Sequence, residues 1–206
     1  MAQSTRIFLD PIAERNPILW RALGMCPALA VTTRLENALA MSAAIAAVAV
    51  FSALIISMLR KTIPDSIRII VHLIIVASLV IVADQFLRTY FVEISRQLSV
   101  YVALIATNCV ILGRIEGFAM QNNAWRSVVD AAGNALGYAA ALSATGIIRE
   151  LIGTGQILGH AVLTTVGHGG WYVPLGLMMT PAGAFFVFGM LVWLLRTWKR
   201  DQIEED

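Results

Sequence analysis

Residues 39–59 read LAMSAAIAAVAVFSALIISML, without a single Asp, Glu, Lys or Arg. A helix needs roughly 20 apolar residues to cross about 30 Å of hydrocarbon, and this run has that length. In lipid only a helix satisfies every backbone N–H and C=O within the segment itself. Working outward, residues 67–87, 128–148 and 175–195 meet the same test. Two shorter apolar runs complete the series. Residues 17–33 are interrupted by Arg21, Gly24 and Pro27, and residues 98–112 by Thr107, Asn108 and the adjoining Gly113. The expected fold is all-α and membrane-integral, a single domain over residues 1–206 with six transmembrane helices.

Composition agrees. Of 206 residues 58% are hydrophobic and 14% charged, with a mean hydropathy of +0.75. A soluble domain carries about 25% charged residues, so lipid must cover part of this surface. The net charge of +2 and the lack of a basic run exclude nucleic acid as a partner. The start, MAQSTRIFLDPIAERNP, places Asp10, Pro11, Glu14 and Arg15 where a signal peptide would have its apolar core, so the first span is expected to stay in the mature protein. Lys and Arg gather on the cytoplasmic side of a membrane protein. Six crossings put both termini on the side holding all of the 15 Lys and Arg except Arg34, Arg88, Arg96 and Arg149, which makes that side cytoplasmic. The loop over residues 153–174 then lies outside. Its His160 and His168 have no Cys or carboxylate between them, so it reads as a polar loop rather than a metal site, with Trp171 and Tyr172 as an interfacial anchor.

The two short runs resemble each other. One contains Cys26 followed by Arg34-Leu-Glu36, the other Cys109 followed by Arg114-Ile-Glu116, and alignment needs a gap of three residues. With six crossings, helices 1–3 (about residues 17–90) and 4–6 (about 98–198) become inverted halves. Short interrupted helices at matching places in two such halves point to the functional centre. At 1.5 Å per residue Cys26 lies about 13 Å beyond Pro17 and Cys109 about 16 Å beyond Leu98. Helices 1 and 4 are thus expected to break near the midplane, each beside a cysteine. Such a pair is either a tight packing break or half of a four-thiolate site. Two-iron clusters use four Cys thiolates, and backbone N–H groups freed at the breaks would hydrogen-bond the sulfurs. Thr107 and Asn108 adjoin Cys109, and Asn108 suits either a cluster sulfur or a freed backbone group. Arg34, Glu36, Arg114 and Glu116 read as symmetric ion pairs at the two breaks, or the carboxylates as part of an ion path, since intramembrane carboxylates are functional suspects. His72 reads as a packing residue, and Gly133, Asn134 and Gly137 as a close-packing surface. A secondary transporter is the competing reading of an inverted repeat. It would want polar groups at the midplane, whereas Asp84 and Asp130 fall toward helix ends.

GMCPALAVTTRLENALAM, TNCVILGRIEGFAM, IPDSIRIIV, and GNALGY followed by IRELIGTG together resemble one family over nearly the whole chain. It comprises the paired membrane subunits of sodium-pumping NADH:quinone oxidoreductase (D and E) and of the related Rnf complex (A and E). QLSVYVALIATNCVILGRIEGFAM and GHGGWYVPLGLMM look like the D branch, while Pro27 directly after Cys26 looks like the Rnf E branch, which is the alternative assignment. The resemblance implies a six-subunit complex, A to F, in the bacterial inner membrane, with the homologous E-type subunit as nearest partner. Each of the two homologues would give two cysteines, here Cys26 and Cys109, to a shared intramembrane [2Fe–2S] cluster. Electrons would run from NADH through FAD, a ferredoxin-type centre, this cluster, FMN and riboflavin to ubiquinone, with sodium moved outward. The chain carries no Gly-rich nucleotide fingerprint, so FAD, FMN, riboflavin and NADH are expected on partner subunits.

Overall fold

The structure, a computed structural model, describes residues 8, 23–64, 66–90, 101–157, 160–161 and 175–198. Within these the chain is helical apart from a two-residue antiparallel pair, Gln156–Ile157 with His160–Ala161. The helices are α1 (Met25–Val31), α2 (Leu35–Leu59), α3 (Arg68–Tyr90), α4 (Cys109–Arg114), α5 (Ala124–Thr154) and α6 (Pro181–Trp198). A helical stretch over residues 101–106 leads into α4, and a π-helical turn, Ile115–Ala119, continues it.

Four of these segments are long and apolar enough to cross a membrane: Leu35–Leu59, Arg68–Thr89, Tyr101–Ala119 and Ala124–Thr154. Pro181–Leu194 is apolar but shorter. The expected last span, from residue 175, begins later because Gly176–Met179 forms a 3-10 turn. α6 then opens on Pro181, whose missing N–H is harmless in a first turn. The expected first span is described only from Leu23 onward, and residues 17–22 lie outside the described residues, as do Trp171, Tyr172 and His168.

α2 and α5 pack along each other more extensively than any other pair. The core joins Met41, Ile45 and Val48 of α2 to Val110, Ile111 and Ile115 of the interrupted helix and to Tyr138 and Leu142 of α5. Phe51, Met58, Ile70, Ile74, Phe86, Phe186 and Trp193 point outward and are exposed. Large apolar side chains on the outside and polar ones inside are what a lipid solvent favours. This is a multi-pass membrane architecture.

The gap between the two similar runs has a structural counterpart. Residues 32–34 leave the helix between α1 and α2, whereas α4 passes through the π-helical turn without leaving it. Those three non-helical residues equal the excess of the Cys26–Glu36 spacing over Cys109–Glu116. The turn itself is marked by the Met120 N–H donating to the Ile115 carbonyl at 3.1 Å, five residues back.

Candidate functional site

The first break is set by Gly24, whose φ of 74° is left-handed and suits a residue without Cβ. α1 starts at the next residue, with Cys26 and Pro27 in its first turn. Pro27 costs no hydrogen bond there, because first-turn N–H groups have no intrahelical partner. The second break is set by Asn108. Its backbone is extended, and its Oδ1 accepts from the Val110 N–H at 2.9 Å, capping α4 in the manner favoured by Asn. Cys109 is the first residue of that helix. Both breaks therefore fall within two residues before a cysteine.

The two breaks also touch. A Cβ on Gly24 would lie 2.7 Å from Val110 Cγ2, 2.9 Å from Tyr138 Cε2 and 3.0 Å from Asn108 Oδ1. The Tyr138 hydroxyl donates to the Gly24 carbonyl at 2.9 Å. Tyr138 is fully buried. Asn108 Nδ2 has no hydrogen-bond partner among the described residues. Tyr138 sits about 21 Å from one end of α5 and about 24 Å from the other at 1.5 Å per residue, so the junction lies at mid-length of the longest helix. Cys26 and Cys109 are free thiols, and both are exposed on the outside of the chain. Thr107 is exposed as well, its hydroxyl turned back to the Leu104 carbonyl. Among the described residues no three His, Cys, Asp or Glu side chains converge. The arrangement offers two exposed thiols beside a buried junction.

At the second break the expected Arg114–Glu116 pairing is not what forms. Arg114 makes a two-pronged contact with buried Asp130 on α5, through Nε at 2.9 Å and through Nη2, and its guanidinium lies over the Phe118 ring at 5.2 Å. Glu116 instead takes Arg68 at 2.6 Å and His72 at 3.4 Å, both on α3. A residue two along a helix points to a different face, so Arg114 and Glu116 reach different neighbours. His72 is buried as expected, yet its Nε2 has no partner among the described residues. Arg34 and Glu36 are exposed at the start of α2, Arg34 as its N-cap with extended backbone. Asp84 pairs with Arg88 at 2.7 Å. Gly133 does serve close packing, since a Cβ there would meet the Phe8 carbonyl at 2.6 Å. Asn134 donates to the Asp130 carbonyl at 2.8 Å.

Three residues that sequence reasoning passed over organise the site: Tyr138, Arg149 and Glu150. α5 runs past the expected limit of residue 148, which brings Arg149 and Glu150 into the helix and buries them. Arg149 Nε donates to Met178 O at 3.0 Å. Its Nη1 donates to Leu29 O at 3.2 Å and Thr32 Oγ1 at 2.5 Å, and its Nη2 to Met179 O at 3.3 Å and Thr180 O at 3.1 Å. All five N–H donors of the guanidinium are used. Glu150 Oε2 accepts from the Leu35 N–H at 2.7 Å. One residue thus closes the end of α1 and the next opens α2, satisfying backbone groups that a helix break would strand in lipid. The signal was legible in principle. Ser127, Asp130, Asn134, Tyr138, Thr145 and Arg149 form a buried stripe at helical spacing on an otherwise apolar segment.

Residues 4–192 match the family described as Rnf-Nqr subunit, membrane protein. The chain is similar to the D subunit of the Na(+)-translocating NADH-quinone reductase of Yersinia pestis (strain Pestoides F), 51% identical over 201 residues that cover 98% of this chain and 96% of that one. The proteins of the same name from Yersinia pseudotuberculosis serotype O:1b and Yersinia enterocolitica serotype O:8 are 51% and 52% identical over the same shares.

Proposed function

The chain belongs to the Rnf-Nqr family of membrane subunits, and on that premise we propose that it is the D-type subunit of a sodium-translocating NADH:quinone reductase. In this reading it shares an intramembrane [2Fe–2S] cluster with a homologous E-type subunit. The observation that carries it is the pair of free, exposed thiols placed at two helix breaks that pack on one another. A chain offering two thiols and, among the described residues, no third ligand suits a cluster completed by two more from a neighbour. Cys26 and Cys109 would hold this chain's half, and the group when bound supplies one-electron transfer at membrane depth. Pro27 is no obstacle to the D-type assignment, since it occupies a first-turn position that tolerates proline.

The remaining parts follow from the same reading. The domain crosses the inner membrane six times in two inverted halves, with both termini cytoplasmic. It works in a six-subunit complex whose FAD, FMN and riboflavin sit on partner chains. Glu36 and Glu116 remain candidates for the sodium path, and Thr107 and Asn108 for the surroundings of the cluster. The experiment is Cys26→Ala and Cys109→Ala in the assembled complex. Each should lose about two iron atoms per complex, the content of a two-iron cluster, and lose quinone reduction by NADH while keeping NADH oxidation by a soluble artificial acceptor. Wild-type iron and quinone turnover in both variants would make the cysteines packing residues. A reporter after Asp206 should read cytoplasmic, and a periplasmic result removes the six-crossing arrangement.

A further inference from the structure

We propose that Tyr138 is a positioning residue that fixes Cys26 and Cys109 relative to each other, by holding the Gly24 carbonyl against the Asn108 break. The proposal rests on the reading of these two thiols as ligands of one cluster. Gly24 lies two residues before Cys26, and the side chains that crowd it, Asn108 and Val110, flank Cys109 on either side. Tyr138 closes this wedge from α5, with its ring against Gly24 and its hydroxyl on the Gly24 carbonyl. Packing alone asks only for a phenyl ring at this buried position. The hydroxyl has a narrower task, anchoring the Gly24 carbonyl, the N-cap acceptor on which α1 begins, and that carbonyl is tied through two backbone steps to Cys26. Buried polar groups of this kind are held because leaving one unsatisfied is costly. The wedge contains no long side chain that could absorb a shift, so a movement of Gly24 becomes a movement of one thiol against the other.

Tyr138→Phe tests this in the full complex, because it keeps the ring and removes only the hydroxyl. The readouts are iron content, the electron paramagnetic resonance line shape of the reduced complex, and the midpoint potential of that signal. Iron should stay at the wild-type level, while the g values change and the reduced-to-oxidised ratio at fixed potential moves by about two- to tenfold, the scale of one net hydrogen bond. A tenfold change corresponds to about 59 mV for a one-electron couple. Gly153→Ala serves as the comparison. Its Cβ would meet Met179 Sδ at 2.8 Å, far along α5 from the junction, so it should lower yield and leave the signal unchanged. Wild-type iron with an unaltered signal and potential in Tyr138→Phe overturns the proposal. Should that variant fail to assemble, Val110→Ala decides, since it removes the methyl groups packed against Gly24 and leaves the polar atoms beside Cys109 in place. An altered signal supports the wedge, and an unaltered one overturns it. Failure of the cluster reading looks different: the cysteine variants would then hold as much iron as the wild type.

Discussion

Replacing Arg149 by methionine should destabilise the protein by about 3 kcal/mol. The guanidinium is fully buried and donates five hydrogen bonds, four of them to carbonyls of α1 and of the turn before α6. Side-chain hydrogen bonds inside membrane proteins average about 0.6 kcal/mol each, which gives roughly 3 kcal/mol for five. Two effects act on that figure from opposite sides. Carbonyls of Leu29, Met178 and Met179 left without the guanidinium cost about 1–3 kcal/mol each where they stay dry. Removing a buried charge recovers part of its desolvation penalty. Two acceptors keep other partners, since Thr32 Oγ1 donates to the Ala28 carbonyl at 2.6 Å and the Ala184 N–H reaches the Thr180 carbonyl at 3.4 Å. The lower figure is therefore the expectation, on the order of a hundredfold in the folding equilibrium. The assay is unfolding of the detergent-solubilised protein by dodecyl sulfate, followed by tryptophan fluorescence. Arg149→Lys keeps the charge but offers three donors instead of five, and should fall between wild type and Arg149→Met. The reasoning is refuted if methionine leaves the midpoint unchanged, or if lysine is worse than methionine, which would mean that desolvation rather than hydrogen bonding decides.

Gly24→Ala should be more damaging than its size suggests. The left-handed backbone costs about 1–2 kcal/mol with a Cβ present and the contacts at 2.7, 2.9 and 3.0 Å add overpacking of about 1–3 kcal/mol; the measurable outcome is a lower yield of iron-loaded complex. Asp130→Asn should lower the unfolding midpoint far more than Glu116→Gln. Asp130 is buried against Arg114, and breaking a buried pair costs up to about 3–5 kcal/mol, whereas the Glu116–Arg68 pair is 33% and 40% exposed and of a class worth about 0–1 kcal/mol. Equal effects for the two would contradict the burial argument.

The long apolar runs announced themselves in the sequence because lipid demands a length of uncharged residues, and α2 and α3 fall within a few residues of where those runs lie. The breaks were legible too, since Gly24 with Pro27 and Thr107 with Asn108 interrupt patterns that otherwise read as continuous. Helix limits were less so. Arg149 looked like a flanking charge, because hydropathy equates charge with solvent and cannot see a carbonyl from a distant segment. The partners of Arg149 come from residues 29–32 and 178–180, and no local pattern names them. Pairing by adjacency failed for the same reason: Arg114 and Glu116 are near in sequence but face α5 and α3. The cysteines stood out through the motifs around them, whereas Tyr138 was one more aromatic in an apolar helix until the fold brought Gly24 to its hydroxyl.

The polar stripe of α5 also bears on how the chain is made. α5 is the least apolar of the four long spans, and on the scale of translocon-mediated insertion an Arg or Asp at the centre of a helix costs about 2.5–3.5 kcal/mol. Delivered alone to the bilayer, this segment would be a poor client. Much of what its polar face needs has already been synthesised by then, since the Gly24 and Leu29 carbonyls, the Leu35 N–H and the Arg114 guanidinium all lie upstream, while the Met178, Met179 and Thr180 carbonyls that complete the Arg149 site follow. The earlier helices thus form a receptor standing in the membrane when α5 leaves the ribosome, and the direction of translation becomes part of the folding problem's solution.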